Sequence, residues 1–449
     1  MLTFKAKMGI LSAVVILSVG ILAIILLTSI FKFNTFLSLL LVSLAMALLT
    51  LPADSIVPVL KKGFGGTLES IGLIIILGTI IGIILDQSGA ALSIARFFLS
   101  LSGEKRASSA MAVTGFVTGL PIFCDSGFIV LSGICRSLSR SSKTVITIMA
   151  PVLAISLYSV HCLVPPHPGA TAATGIIGAP IGIVILTGTL VAIPATVITY
   201  FFILYRSRKL SYNANSDIQE NLNFDKTPQT TLAFLPILVP LALITLKSIF
   251  FMLNQTPNQS LLKTVISFAG DPVIALLTGC FVALPLLKNF TINQWNKLLD
   301  SAIEKAGPIL IVTAAGGTFG AVIKESGMVT NIGQQVAGLG LGLLIPYLIA
   351  VILKTSQGSS TIAIITAASI CGPLLGSLQL DSEMGKVLAI LAMGAGSMML
   401  SHANDSFFWV ISKFSGMTSA ETLRYYSLPT VILSIVSFLM VSLVSIWMI

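Results

Sequence analysis

His161-Cys162-Leu163-Val164-Pro165-Pro166-His167-Pro168-Gly169 is the stretch on which the fold turns. Proline removes a backbone donor and pushes the residue before it out of the helical region, so the helix that begins near Thr144 must be interrupted here. The residues that follow, 168–205, carry no charged side chain. A broken backbone in such surroundings, with two imidazoles beside it, is tolerated at membrane depth only where protein or a wet cavity encloses it. The motif therefore places a polar site inside a membrane protein.

Composition agrees with that reading. The chain has 449 residues, 55% of them hydrophobic and only 9% charged, with a mean hydropathy of +1.01. A soluble domain carries about 25% charged residues. Residues 10–31, 33–53, 227–246 and 425–449 are free of charge, each near or above the roughly 20 residues a helix needs to cross a bilayer. The first of these follows Lys5 and Lys7, as a secretory signal would, but it is longer than a signal's apolar core requires and is read as a retained span. The net charge of +9 comes from short basic clusters between apolar runs, which carries topology information and implies no nucleic-acid partner. Lys61-Lys62, Lys105-Arg106, Arg136 to Lys143 and Arg206-Ser207-Arg208-Lys209 mark the expected cytoplasmic loops. The five cysteines show no CxxC spacing, so neither a disulfide framework nor a metal site is expected.

Residues 206–230 form the long polar stretch near the middle, dividing an N-terminal membrane half, 1–205, from a C-terminal half, 231–449. An internal similarity supports the division. Gly78 to Gly89 aligns without gaps on Gly316 to Gly327, 238 residues later, and Ser156 and His161 match Ser397 and His402 at 241. Weak internal symmetry of this kind is typical of transporters built from repeats. The expected fold is an all-α polytopic membrane protein of two structural repeats, with re-entrant hairpins and broken helices making about 12–14 membrane segments.

Between Arg106 and Arg136 the chain is too short for two full spans and too long for one. The Gly115 to Gly127 segment, with Pro121 at its centre, predicts a re-entrant hairpin with Asp125 near its tip; the alternative is one long kinked span. In the second half, Lys354 to Thr361 is a run of small hydroxyl residues opening an apolar helix, suited to an anion at a helix N-terminus. Broken segments are thus expected at 115–127, 161–169, 354–361 and 399–406. The candidate substrate-binding residues are Asp125, Ser126, Gly127, His161, Pro165, Pro166, His167, Gly169, Ser359, Ser360, Thr361, His402 and Asn404. Gly169 would allow close backbone approach to a ligand. Proton coupling falls to Asp125, His161, His402 or Asp405, since imidazole changes charge near neutral pH and Asp405 can share a helical face with His402. Asp86 and Glu325 read as interfacial caps. HExxH, GxSxG and P-loop patterns are absent, and no cofactor is expected.

Lys62 to Leu68, Asp86-Gln87-Ser88-Gly89, Pro121 to Phe128, Pro165-Pro166-His167-Pro168-Gly169 and Ser401-His402-Ala403-Asn404-Asp405-Ser406 together resemble the gluconate permease family of bacterial proton symporters. The resemblance runs from about residue 35 to 430. It implies a multi-pass transporter of the bacterial cytoplasmic (inner) membrane that takes up gluconate or a related sugar acid with protons. It also implies membership of the wider ion-transporter superfamily, with inverted repeats and a homodimer. Cys124-Asp125-Ser126 and the aromatic run Phe407-Phe408-Trp409 depart from the family's pattern, so a permease for D-serine or another small hydroxylated carboxylate, even a sodium-coupled one, stays open. An intramembrane enzyme using His161 or His402 as base is the remote alternative; it lacks a nucleophile motif.

Overall fold

Every element among the described residues is helical. The computed structural model describes residues 10–27, 31, 33–102, 106–207, 227–253, 261–287, 290–327, 342–402 and 405–448. The first half runs α1 (Ile10–Ile25), α2 (Thr35–Thr50), α3 (Ala53–Gln87), α4 (Ala90–Ser102), α5 (Ala107–Gly119), α6 (Cys124–Ser141), α7 (Ile146–Leu163), α8 (Pro168–Ile177) and α9 (Ile181–Arg206). The second runs α10 (Thr230–Leu253), α11 (Leu261–Ala269), α12 (Pro272–Ala283), α13 (Ile292–Glu325), α14 (Leu344–Gln357), α15 (Ser360–Cys371), α16 (Glu383–Gly396) and α17 (Ser406–Ser415). A short α18 (Ser419–Thr422) passes through a π-helical turn, Leu423–Ser427, into α19 (Leu428–Met448). The polar stretch 206–230 falls between α9 and α10, with 208–226 outside the described residues.

Equally apolar helices divide into two kinds by what surrounds them. Over the α7–α8 span 89% of the most apolar window is buried in protein, against 28% for α10 and for the α18–α19 span. A helix apolar all round is either enclosed by its own chain or facing lipid. The first is the interior of this molecule and the other two present their sides to the bilayer. Deep inside, α3 lies along α13, and glycines allow the close crossing: a Cβ on Gly63 would stand 2.8 Å from the Gly317 carbonyl oxygen and from Thr318 Cα.

Five described helices are long and apolar enough to cross a membrane, or up to seven if each of two bent pairs is one span. The expected 12–14 segments are not full spans, because several apolar helices are about half-length. α5, with 13 residues, reaches about 20 Å at 1.5 Å per residue, short of a hydrocarbon core of about 30 Å. Such helices come in pairs joined at turns or breaks.

The halves also coincide in detail. α3 and α13 both end on a serine followed by a left-handed glycine, Gly89 (φ 74°) and Gly327 (φ 73°), with matching bonds from Ser88 N–H to Ile84 O and Ser326 N–H to Val322 O. α8 and α17 each have ten residues and each stops on a left-handed glycine, Gly178 and Gly416. All of these positions are 238 residues apart.

Candidate functional site

Four interruptions of the backbone meet at one level of the interior. α5 and α6 form a helical hairpin whose turn, residues 120–123, leaves Asp125 in the first turn of α6. The α14–α15 hairpin turns at Gly358 (φ 84°), and Ser359 caps α15 by accepting from Ile362 N–H at 3.3 Å. α7 ends at Leu163 and α8 restarts with Pro168 at its first position, after a cis Pro165–Pro166 peptide. The last break lies between α16 and α17, where Leu400 takes a φ of 42°, unusual for a residue with a side chain, and the Thr430 hydroxyl accepts from the next N–H at 3.1 Å.

Two buried networks join these interruptions. In the first, His167 Nε2 bonds the carbonyl of Gly119, the last residue of α5, where helix geometry leaves carbonyls without intrahelical partners. A carbonyl only accepts, so His167 Nε2 carries the hydrogen. The neutral pair is then fully determined: His161 Nδ1–H donates to His167 Nδ1 at 3.2 Å, and His161 Nε2 accepts from the Thr361 hydroxyl at 3.3 Å. This uncharged chain ties the first hairpin, through the α7–α8 break, to the second hairpin. Phe123, at the α5–α6 turn, stands with its ring centroid 6.3 Å from that of His161.

The second network is charged. Lys354 on α14, fully buried, donates to the Asp405 carboxylate and to the Gly358 carbonyl, both at 2.6 Å. Asp405 also accepts from the Ser401 hydroxyl at 2.5 Å, and its other oxygen caps α17 through Phe407 N–H at 3.0 Å. The Tyr158 ring lies 5.6 Å from Lys354 Nζ, while its hydroxyl donates to the Ser397 carbonyl at 3.1 Å. Tyr158 precedes His161 by three residues, on the same face of α7, and so links the two networks.

The remaining candidates fall in several places. One carboxylate oxygen of Asp125 is buried without a hydrogen-bond partner among the described residues. Its group lies within range of the charges on Asp405, Lys354 and Lys305. Ser126 accepts from Lys305 Nζ at 3.3 Å. His402 Nε2 donates to the Thr355 carbonyl at 3.3 Å, beside Lys354. Asn404 lies outside the described residues. Gly127 packs against Leu157, where a Cβ would come within 2.9 Å. Pro165 and Pro166 face an apolar cavity of about 440 Å³ that Pro236 and Pro240 of α10 also line. Gly169 admits protein, not ligand: a Cβ there would sit 3.2 Å from Thr361 Cα and 3.1 Å from Ile364 Cδ1, because α8 and α15 pack directly together.

Sequence reasoning missed Lys354, Tyr158 and the role of Ser401. A signal for the first was present, since Lys354 is the lone charged residue between Glu325 and Asp381. A solitary cation in an apolar run marks function by default.

A model of the GntP family permeases matches residues 12–447. A gluconate permease of Bacillus subtilis is 31% identical over 436 residues, covering 94% of this chain and 96% of that protein. The inner membrane permease YgbN of Escherichia coli is 32% identical over 440 residues, covering 94% and 95%. In fold, the chain is similar to the YdaH transporter of Alcanivorax borkumensis, with a TM-score of 0.58 at 14% identity, covering 91% of this chain and 96% of that one. Together with the lipid-facing spans, these likenesses make this a multi-pass protein of the bacterial inner membrane. The chain belongs to the GntP family of permeases.

Proposed function

We propose that this permease takes up gluconate or a related sugar acid together with protons. One observation carries the reading: the N-termini of α6, α8, α15 and α17 gather around a buried lysine. Helix N-termini present unpaired N–H groups and partial positive charge, which with an ammonium group favours a carboxylate. The hydroxyls of Ser359, Ser360 and Thr361 stand at the same turn and would pair with hydroxyls of a sugar acid. The permease of B. subtilis is named for gluconate, which fits that chemistry.

Proton transfer falls to Asp405 and Asp125 ahead of the histidines. His161 has both ring nitrogens engaged and His167 likewise, so neither offers a free lone pair. We further propose that residues 1–205 and 231–449 are structural repeats joined by 206–230, that the α5–α6 and α14–α15 hairpins are re-entrant, and that the permease works as a homodimer.

The test is uptake of labelled gluconate and labelled D-serine by proteoliposomes, with and without an inward proton gradient or a sodium gradient. Gluconate accumulation that follows the proton gradient is expected. Accumulation of D-serine alone, or a sodium requirement, would replace this reading.

A further inference from the structure

The Lys354–Asp405 pair is the group of charges in this interior whose balance an entering anion can change. A buried ion pair broken by loss of one partner leaves an uncompensated charge, which is strongly unfavourable. Protonating Asp405 creates that situation: Lys354 keeps its charge at 0% exposure, with only the Gly358 carbonyl left as a polar partner. The state becomes balanced again if another carboxylate takes the vacated place. The N-termini of α15 and α17 flank that place, and the Ser401 hydroxyl, which now donates to Asp405, is positioned to donate to a replacement.

We infer that Lys354 is the anchor of the substrate carboxylate, and that Asp405 and the substrate compete for it, so that one proton must enter Asp405 for each anion bound. The inference rests on the sugar-acid reading and gives it a coupling rule. In the empty state Lys354 pairs with ionised Asp405. In the loaded state Asp405 is protonated and Lys354 pairs with the substrate. Both states are neutral overall, and the mixed states, with a lone cation or an extra anion, are not. Symport then follows from charge balance, with no separate device needed to forbid slippage.

Other titratable groups turned toward the pair are Cys124 and Asp125 from α6, Tyr158, His161 and Cys162 from α7, and Tyr426 beside α17. Asp125 is the one other carboxylate among these. It makes no contact with Lys354 to exchange, so it serves as the control.

The experiment is calorimetric titration of the purified permease with gluconate near pH 7 in buffers of different ionisation enthalpy, which counts protons taken up per anion bound. The wild type should take up about one proton per gluconate. Asp405→Asn keeps the α17 cap, since an amide oxygen also accepts from Phe407 N–H, and should bind gluconate with no proton uptake. Asp125→Asn should bind with the wild-type proton count. Lys354→Met by itself leaves Asp405 unpaired and can fail to fold, so the decisive variant is Lys354→Met/Asp405→Asn, which buries no net charge. It should be as abundant as wild type and bind gluconate roughly a hundredfold more weakly, the loss expected when a desolvated charge partner is removed. Proton uptake that persists in Asp405→Asn, proton uptake that disappears in Asp125→Asn instead, or tight gluconate binding by the double variant would each overturn the inference and leave the transport reading standing. A wild type that binds no gluconate at all would overturn the sugar-acid reading and this rule with it.

Discussion

The two interrupted helices use one backbone frame for opposite chemistry. His167 and Asp405 hold the same station, directly before a ten-residue helix that ends on a left-handed glycine, and they are 238 residues apart. At the first, imidazoles form a neutral chain in which every ring nitrogen already has a partner. At the second, a carboxylate holds a buried ammonium. A saturated neutral chain resists change, because altering any member leaves a buried polar group unpaired. A charged pair can exchange partners if another ion of the same sign arrives. The first break therefore fastens the hairpins together and the second changes state during transport.

The largest effect should come from the charged side. Lys354→Met strands Asp405, a loss of about 3–5 kcal/mol, and should lower both membrane abundance and gluconate uptake per molecule. Restoring abundance but not uptake with Asp405→Asn in the same chain would confirm that the defect is charge. On the neutral side, His167→Ala leaves the Gly119 carbonyl unpaired and should destabilise by about 1–3 kcal/mol. Thermal unfolding in detergent would show this, while the molecules that remain folded should still accumulate substrate along a proton gradient. A severe uptake defect in stable His167→Ala protein would collapse the distinction between the two breaks.

Gly82 and Gly320, equivalent positions on α3 and α13, offer a smaller and sharper contrast. A Cβ on Gly82 would meet the Pro121 carbonyl oxygen at 2.7 Å, against the first hairpin's turn, whereas one on Gly320 would find its nearest neighbour, the Ser369 carbonyl oxygen, at 3.7 Å. Gly82→Ala should cost about 1–3 kcal/mol by overpacking. Gly320→Ala should be neutral or stabilise by up to about 1 kcal/mol, since alanine favours helix. Paired melting curves decide it. The smallest effect is expected from Thr361→Val, which removes the hydroxyl donor to His161 Nε2 and should cost about 1 kcal/mol.

Much of this frame was legible in the residues. Pro165-Pro166 had to break a helix, Gly358 and Ser359 had to turn one and start another, and the Ser-Gly ends of α3 and α13 align at a fixed offset. Each is a local rule of backbone geometry. What sequence could not supply is partnership across distance. Lys354 and Asp405 are 51 residues apart, and nothing in spacing reveals that one neutralises the other. Gly169 shows the same limit. Its missing side chain announces a close approach, but whether ligand or α15 does the approaching depends on tertiary packing. The count of membrane segments was overdrawn because half-length and full-length apolar helices look alike until their joints are seen.

The central claim, that the coupling chemistry lies at the charged break and not at the histidine chain, is tested most directly by measuring two activities of the same proteoliposomes. One is gluconate accumulation driven by a proton gradient; the other is exchange of internal for external gluconate without one. Asp405→Asn should retain exchange and lose accumulation, while His161→Gln, whose amide can still accept from Thr361, should retain both. Accumulation at the wild-type level by Asp405→Asn, with accumulation lost and exchange kept in His161→Gln, would contradict the account.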